Sequence, residues 1–208
     1  MGKGTPELTA ARREAIVNAC EQLYRTMSFR EITLKEIGTL VPFSRPTIYN
    51  YFQTKEEIFL ALYEREYDRW NEDLSAVLAE RERMTGPELA ERIAASLAKR
   101  EQLLRLLSMN NYDMEANSRQ ELLTAFKRAY GRSMELMRAL LEKYRPQMSA
   151  EEIRGFLYIF YPFLFGVYPY AAGTEKQRAA MREAGVDFAY QSIYELTRGC
   201  LIRLLGDN

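Results

Sequence analysis

The chain has 208 residues, 47% of them hydrophobic and 28% charged, with 29 Lys+Arg against 29 Asp+Glu and a formal net charge of zero. That length and apolar content suffice for one or two domains with a real core. The charge balance excludes a globally basic nucleic-acid binder, and the absence of histidine removes Ser-His, Cys-His and His-metal chemistry.

The opening MGKGTPELTA lacks an apolar h-region, which leads to the expectation of a cytoplasmic protein. A first helix is predicted from about Thr9 to Met27, with Ile16, Ala19, Cys20, Leu23 and Tyr24 as its apolar stripe. Ser28 stands at its end, and Phe29 and Ile32 are candidate core plugs. Cys20 and Cys200 are far apart and each lies in an apolar helical pattern, so both read as free, buried thiols.

The segment TLKEIGTLVPFSRPTIYNYFQTK, Thr33 to Lys55, reads as two short helices and a helix start. Thr33 and Glu36 make a T-x-x-E capping box ahead of Leu34, Ile37, Leu40 and Val41 at helical spacing. Pro42 ends that helix, because proline disfavours helical geometry in the residue before it. Ser44 is positioned to cap the next helix, with Pro46 in its first turn, where a missing N–H costs little. Ile48 and Phe52 point one way, which leaves Arg45, Thr47, Asn50 and Tyr51 for other directions. Thr54 and Glu57 form a second capping box. Two short helices joined by a tight turn are a helix-turn-helix, a unit that serves either as an ordinary helical corner or to put its second helix into the DNA major groove.

The run ITLKEIGTLVPFSRPTIYNYFQTKEEIFLAL resembles the DNA-binding signature of the TetR (tetracycline-repressor-like) family of bacterial regulators. The resemblance is carried by Ile32-Thr33, Ile37, Ser44, Thr47-Ile48-Tyr49, Tyr51-Phe52, Lys55-Glu56 and Leu60. Pro42 stands where that family usually has the turn glycine, and Gly38 where it usually has alanine. Through Phe52 the basic residues Lys3, Arg12, Arg13, Arg25, Arg30, Lys35 and Arg45 only slightly outnumber the acids Glu7, Glu14, Glu21, Glu31 and Glu36. Non-specific DNA affinity should therefore be modest, with a shallow salt dependence.

Beyond this head a helix is predicted from Lys55 to about Arg83, followed by a stop and restart at Met84–Glu88 and a helix to about Arg100 that continues, after a bend, to Asn111. Met109 to Asp113 reads as a break. Ser118 and Glu121 should cap a long helix to about Lys143, and Ser149 and Glu152 the next. That helix contains FLYIFYPFLFGVYPYAA, residues 156–172, apolar throughout and interrupted by Pro162, Gly166 and Pro169. The stretch is at the lower edge of a membrane span, and its tyrosines and prolines argue for burial by its own core and by another subunit instead. Thr174 and Gln177 cap a short helix to Glu183, and a last helix is predicted from Asp187 to Leu205. The expected fold is all-α with about nine helices, a helix-turn-helix head over 1–53 and a helical bundle over 54–208.

The resemblance implies a ligand-responsive repressor, acting as a homodimer on a palindrome-like operator and released by a small-molecule inducer. The alternative is a regulator of the same fold that activates, or that answers a protein partner. By position in the motif, Lys35 and Arg45 are candidates for base edges, and Pro46 and Thr47 for a thymine methyl or a phosphate. Thr33, Ser44, Tyr49, Asn50, Tyr51 and Lys55 complete the candidate DNA-binding set, and Tyr49 is equally readable as partly core. The dimer would form through Glu152–Ala171 and Asp187–Leu205. The family's pockets lie in the C-terminal domain, where this chain offers Trp70, Tyr112, Phe126, Tyr130, Tyr158, Tyr161, Phe165 and Tyr168 for an apolar or aromatic ligand. No catalytic cluster is recognisable, and no metal, cofactor or membrane is expected.

Overall fold

A computed structural model describes residues 5–109 and 111–206. Among these residues all regular structure is helical, in eleven helices where the sequence pattern predicts about nine. No single helix among the described residues is long and apolar enough to cross a membrane. The chain divides into two compact units, Met1–Arg65 with Asn110–Ala129, and Glu66–Met109 with Tyr130–Asn208. The first unit thus runs past residue 53 and takes in a segment that sequence order alone does not assign to it.

The first unit holds α1 (Pro6–Tyr24), α2 (Leu34–Thr39), α3 (Arg45–Ile48), the start of α4 (Lys55–Glu80), α7 (Asn111–Ala116) and the start of α8 (Gln120–Tyr144). Helix α1 begins three residues earlier than expected because Thr5 caps it, accepting from the Leu8 N–H, and Pro6 occupies the first turn. It ends at Tyr24 rather than Met27. The Glu31 carboxylate accepts from both the N–H and the hydroxyl of Ser28, each at 2.7 Å, and so shapes the following loop. Ile16, Cys20, Tyr24, Ile32, Ile37, Ile48, Phe52 and Phe59 form the core, with Phe59 meeting the rings of Tyr24 and Phe29 edge-on at 5.2 and 4.8 Å. Burial pushes the Cys20 thiol up to about 12, so it stays a neutral core group.

The second unit holds the rest of α4 and α8 with α5 (Gly86–Ala98), α6 (Glu101–Leu107), α9 (Ala150–Ala171), α10 (Glu175–Glu183) and α11 (Ile193–Leu205). Helix α11 packs chiefly on α5 and also on α9, and α6 packs on α9. Trp70, Leu74, Ile93, Leu97, Leu104, Leu140, Phe160 and Leu164 are fully buried between them. Two of the core's polar groups are paired locally: Trp70 Nε1 donates to Ser96 Oγ at 3.1 Å and Tyr161 OH to Ser133 Oγ at 2.9 Å. The Tyr144 hydroxyl lies 3.0 and 2.9 Å from the carbonyls of Val77 and Arg81, either of which can accept its single proton where α4 ends. Helix α4 stops at Glu80 and not near Arg83.

Several predicted helix ends are corrected. The last helix starts at Ile193, not Asp187, because Ser192 and Glu195 form a full capping box. Phe188 and Tyr190, expected inside that helix, meet edge-on at 4.7 Å, and Phe188 reaches Tyr170 at 5.9 Å. A Cβ at Gly173 would overlap the Tyr190 ring, so glycine permits this close approach. Ser118 does not cap α8; its hydroxyl donates back to the Met114 carbonyl at 2.7 Å. The Thr85–Glu88 and Ser149–Glu152 boxes form as expected, and the Thr174 hydroxyl accepts from the Gln177 N–H. Cys200 is half-buried rather than buried.

Helix α9 runs unbroken through Pro162 and Pro169. Ile153, Phe156, Leu157, Phe160, Tyr161, Leu164 and Val167 form its buried face. The opposite face is also apolar and is open to solvent in this chain, with Tyr158 71% and Ile159 55% exposed beside Phe165 and Tyr170. The expectation of burial by the chain's own core thus holds for one face only.

Candidate nucleic-acid interface

Thr33 opens α2, its hydroxyl accepting from the N–H groups of Lys35 and Glu36 at 3.2 and 3.4 Å. The Glu36 carboxylate accepts from the Thr33 hydroxyl, so the expected box closes through the side chain. Leu40 ends α2 with φ −105° and ψ −4°. The turn from Thr39 to Ser44 contains no residue of positive φ, and Pro42 is accommodated without the left-handed turn that a glycine would serve. A Cβ at Gly38 would lie 3.5 Å from Arg45 Cβ, an ordinary contact, so alanine would also fit there.

Helix α3 has only four residues, but its turns continue: Asn50 N–H donates to Thr47 O, and Tyr51 and Phe52 N–H both donate to Ile48 O at 2.9 Å. So short a helix does not stand alone in water. It is held by Ile48 and Phe52, both fully buried, each contributing roughly 1.5–3 kcal/mol relative to exposure. Their burial on one side turns Ser44, Arg45, Pro46, Tyr49 and Asn50 outward, with Thr47 and Tyr51 half-buried. Tyr49 is 47% exposed, which decides against a core role. Arg45 Nη2 approaches the Tyr49 hydroxyl at 3.5 Å. Lys35 is exposed on α2. Ser44 has the extended backbone of a cap, but its hydroxyl meets Thr47 Oγ1 at 3.0 Å instead of capping a backbone N–H.

Lys55 is the exception in the candidate set. Its ammonium donates to the carbonyls of Phe29 and Ile32 at 2.7 and 3.2 Å and lies 4.2 Å from the centre of the Phe29 ring. The lysine stem is long enough to reach back into its own head, and the cation braces the loop before α2.

Two residues that sequence reasoning did not single out as a pair complete the surroundings. Glu57, 1% exposed, accepts from Arg119 Nε and Nη2 at 2.7 and 2.9 Å, from the Arg119 N–H at 3.1 Å and from the Gln53 N–H at 2.7 Å. Burial pushes its carboxyl upward, but the hydrogen bonds from Arg119 and Gln53 outweigh that and hold it below the usual carboxylate range. Arg119 Nη2 also donates to the Tyr51 carbonyl at 2.9 Å, and the Thr54 hydroxyl to the Asn117 carbonyl at 2.9 Å. The expected Thr54–Glu57 box is therefore half made: Glu57 N–H donates to Thr54 Oγ1, while the carboxylate turns to Arg119 and Gln53.

The aromatic residues offered for a ligand differ in their surroundings. Trp70, Tyr130 and Tyr161 share a cluster, with Tyr161 6.1 Å from Trp70 and 5.5 Å from Tyr130 between ring centres. Phe126 packs on Tyr63 at 4.7 Å in the first unit. Tyr112 is 84% exposed, Tyr158 and Phe165 lie on the open face of α9, and Tyr168 is half-buried. A separate shallow cleft of about 470 Å³ runs between Arg145, Gln147, Met148, Phe156, Ile159 and Arg203. Among the described residues, no group of three or more His, Cys, Asp or Glu could hold a metal ion.

Residues 16–62 match the family described as bacterial regulatory proteins, tetR family, and residues 64–189 match the tetracyclin repressor-like C-terminal domain. The sequence has no match among curated proteins. Among solved structures, the fold is similar to FadR of Thermus thermophilus in complex with lauroyl-CoA, with 23% identity, 93% of each chain covered and a TM-score of 0.61. It is similar to FadR of Bacillus subtilis in complex with stearoyl-CoA, with 14% identity, 94% of this chain and 98% of that one covered and a TM-score of 0.61. It is also similar to the fatty acid degradation regulator FadR of Bacillus halodurans, with 17% identity, 100% and 98% covered and a TM-score of 0.60. With an exposed Arg45–Asn50 face set on a buried Ile48–Phe52 anchor, and with both parts of the chain matched, the protein belongs to the TetR family of transcriptional regulators.

Proposed function

We propose that the chain is a homodimeric repressor that reads a palindrome-like operator and is released by a small-molecule inducer. The observation that carries the reading is the outward Arg45–Asn50 face, which two fully buried side chains hold ready for a major groove. In this reading Arg45 and Lys35 pair with base edges, as arginine and lysine do with guanine. Pro46 and Thr47 meet a thymine methyl or a phosphate. Thr33, Ser44, Tyr49, Asn50 and Tyr51 hold the phosphate backbone and fix register. Lys55 is left out, because its ammonium is engaged within the head.

A second copy would cover the open apolar face of α9, within Glu152–Ala171, together with α11 from Ile193. Twofold symmetry then presents two recognition segments to two half-sites. The inducer would be an apolar or aromatic molecule taken up by the second unit, in keeping with the acyl-CoA bound to two proteins of similar fold. Release follows if the ligand binds a dimer whose recognition segments no longer match the half-site spacing, since only differential affinity shifts such an equilibrium. A reader of bacterial DNA works in the cytoplasm.

The test is Arg45→Ala, titrated by fluorescence anisotropy against a fragment selected from the source genome and against scrambled DNA. A loss of about 1–3 kcal/mol on the selected fragment alone is expected for a bidentate base contact. An equal loss on both sequences would remove Arg45 as a reader.

A further inference from the structure

The tie between Arg119 and Glu57 joins residues 62 apart in sequence, and the bond from Arg119 to the Tyr51 carbonyl spans 68. Every tie described here falls on the chain between the recognition segment and α4. Tyr51 is held at its carbonyl, Gln53 at its N–H through Glu57, Thr54 at its hydroxyl and Glu57 at both carboxylate oxygens. Apart from Glu57 itself, which holds the Gln53 N–H, the opposing groups come from Asn117 and Arg119, which precede α8. Glu57 is almost wholly buried while Arg119 is 36% exposed, and the planar guanidinium fork matches both carboxylate oxygens. Lysine can supply the charge but not the fork. Removing Arg119 leaves the buried Glu57 carboxylate without its guanidinium partner.

Resting on the reading of the chain as a DNA-binding regulator, we propose that Arg119 is a positioning residue for operator recognition: it fixes the C-terminal end of the recognition segment and makes the pose of that segment follow the start of α8. The direction of the ties supports this. Ile48 and Phe52 anchor the segment from beneath, but a four-residue helix can still pivot about them. Arg119 closes that freedom at the Tyr51 carbonyl. Its neighbour Gln120 begins α8, which runs without interruption to Tyr144 and carries Tyr130, Ser133, Met137 and Leu140 into the core of the second unit. Arg119 touches no DNA in this scheme.

The test uses the full chain, the fragment that the unaltered protein selects from its genome, and a scrambled duplex. Arg119→Gln is expected to lose about tenfold in affinity for the selected fragment, as coupling residues do, while binding to the scrambled duplex and the salt slope stay unchanged. Arg119→Lys should fall between the two. Amide hydrogen exchange provides a reading independent of DNA: the N–H groups of Tyr51, Phe52 and Gln53 should exchange faster in Arg119→Gln, with those of α1 unaffected. A folded Arg119→Gln with unaltered exchange and unaltered selectivity would overturn the proposal, as would a lowered Tm with the selectivity ratio intact, the mark of a merely structural pair. Equal losses on both duplexes with a reduced salt slope would overturn it too, by making Arg119 a phosphate contact. If the unaltered protein selects no fragment, the DNA-reading function fails, and the exchange experiment still judges the positioning role.

Discussion

Ile48 and Phe52 lie four residues apart and both are fully buried, so their spacing alone decides which way Arg45, Tyr49 and Asn50 face. Glu57 shows a contribution that spacing does not reveal. Its carboxyl is held below the ordinary glutamate value, so its ionised form stabilises the fold fully above that ordinary value, near 4.3, and the stabilisation is lost as pH falls through the lowered one. In urea titrations the advantage of the native protein over Glu57→Gln should be constant above about pH 5 and shrink progressively below it. A constant difference down to strong acid would mean that the ionised pair with Arg119 contributes nothing. Local spacing made the outward face of the recognition segment legible in the sequence. It could not make Arg119 legible, because an ion pair across 62 residues leaves no local mark. Lys55 was misread for a related reason: a flexible stem lets its ammonium turn to the carbonyls of Phe29 and Ile32 rather than outward.

Helix starts were readable at Thr85 and Ser149, where Ser or Thr precedes Glu by three residues, but not at Ser118, whose hydroxyl turns back to Met114. The same rule also marks Ser192, but the apolar residues Phe188 and Tyr190 ahead of it mimic helical spacing and draw the predicted start back to Asp187. In the fold these two rings are used by Tyr170 and by each other. Ser192→Ala should therefore destabilise the protein by about 1 kcal/mol through fraying of α11, read as a lower urea midpoint. An unchanged midpoint would show that packing of α11 on α5 holds the helix without its cap. Helix ends were less legible than starts. The end of α4 meets the Tyr144 hydroxyl, which comes from another helix altogether.

The all-helical fold and its helix-turn-helix head followed from periodicity and motif, whereas the make-up of the two units did not. Asn110–Ala129 joins the head through contacts such as Thr54 with Asn117, which only the folded chain brings together. Composition counts rings, while packing buries Trp70 and Tyr161 and leaves Tyr112 and Tyr158 exposed. What remains open on the second unit is the apolar face of α9, with Tyr158, Ile159, Phe165 and Tyr170, and a second copy of the chain is the partner that the proposed function requires. The central claim is that two chains read one inverted repeat. Sedimentation velocity of the protein mixed with its selected genomic fragment tests it directly. The account predicts two chains on each inverted repeat, with Ile159→Glu giving monomers that no longer hold the fragment. A single chain bound with full affinity, or binding unaffected by Ile159→Glu, would contradict it.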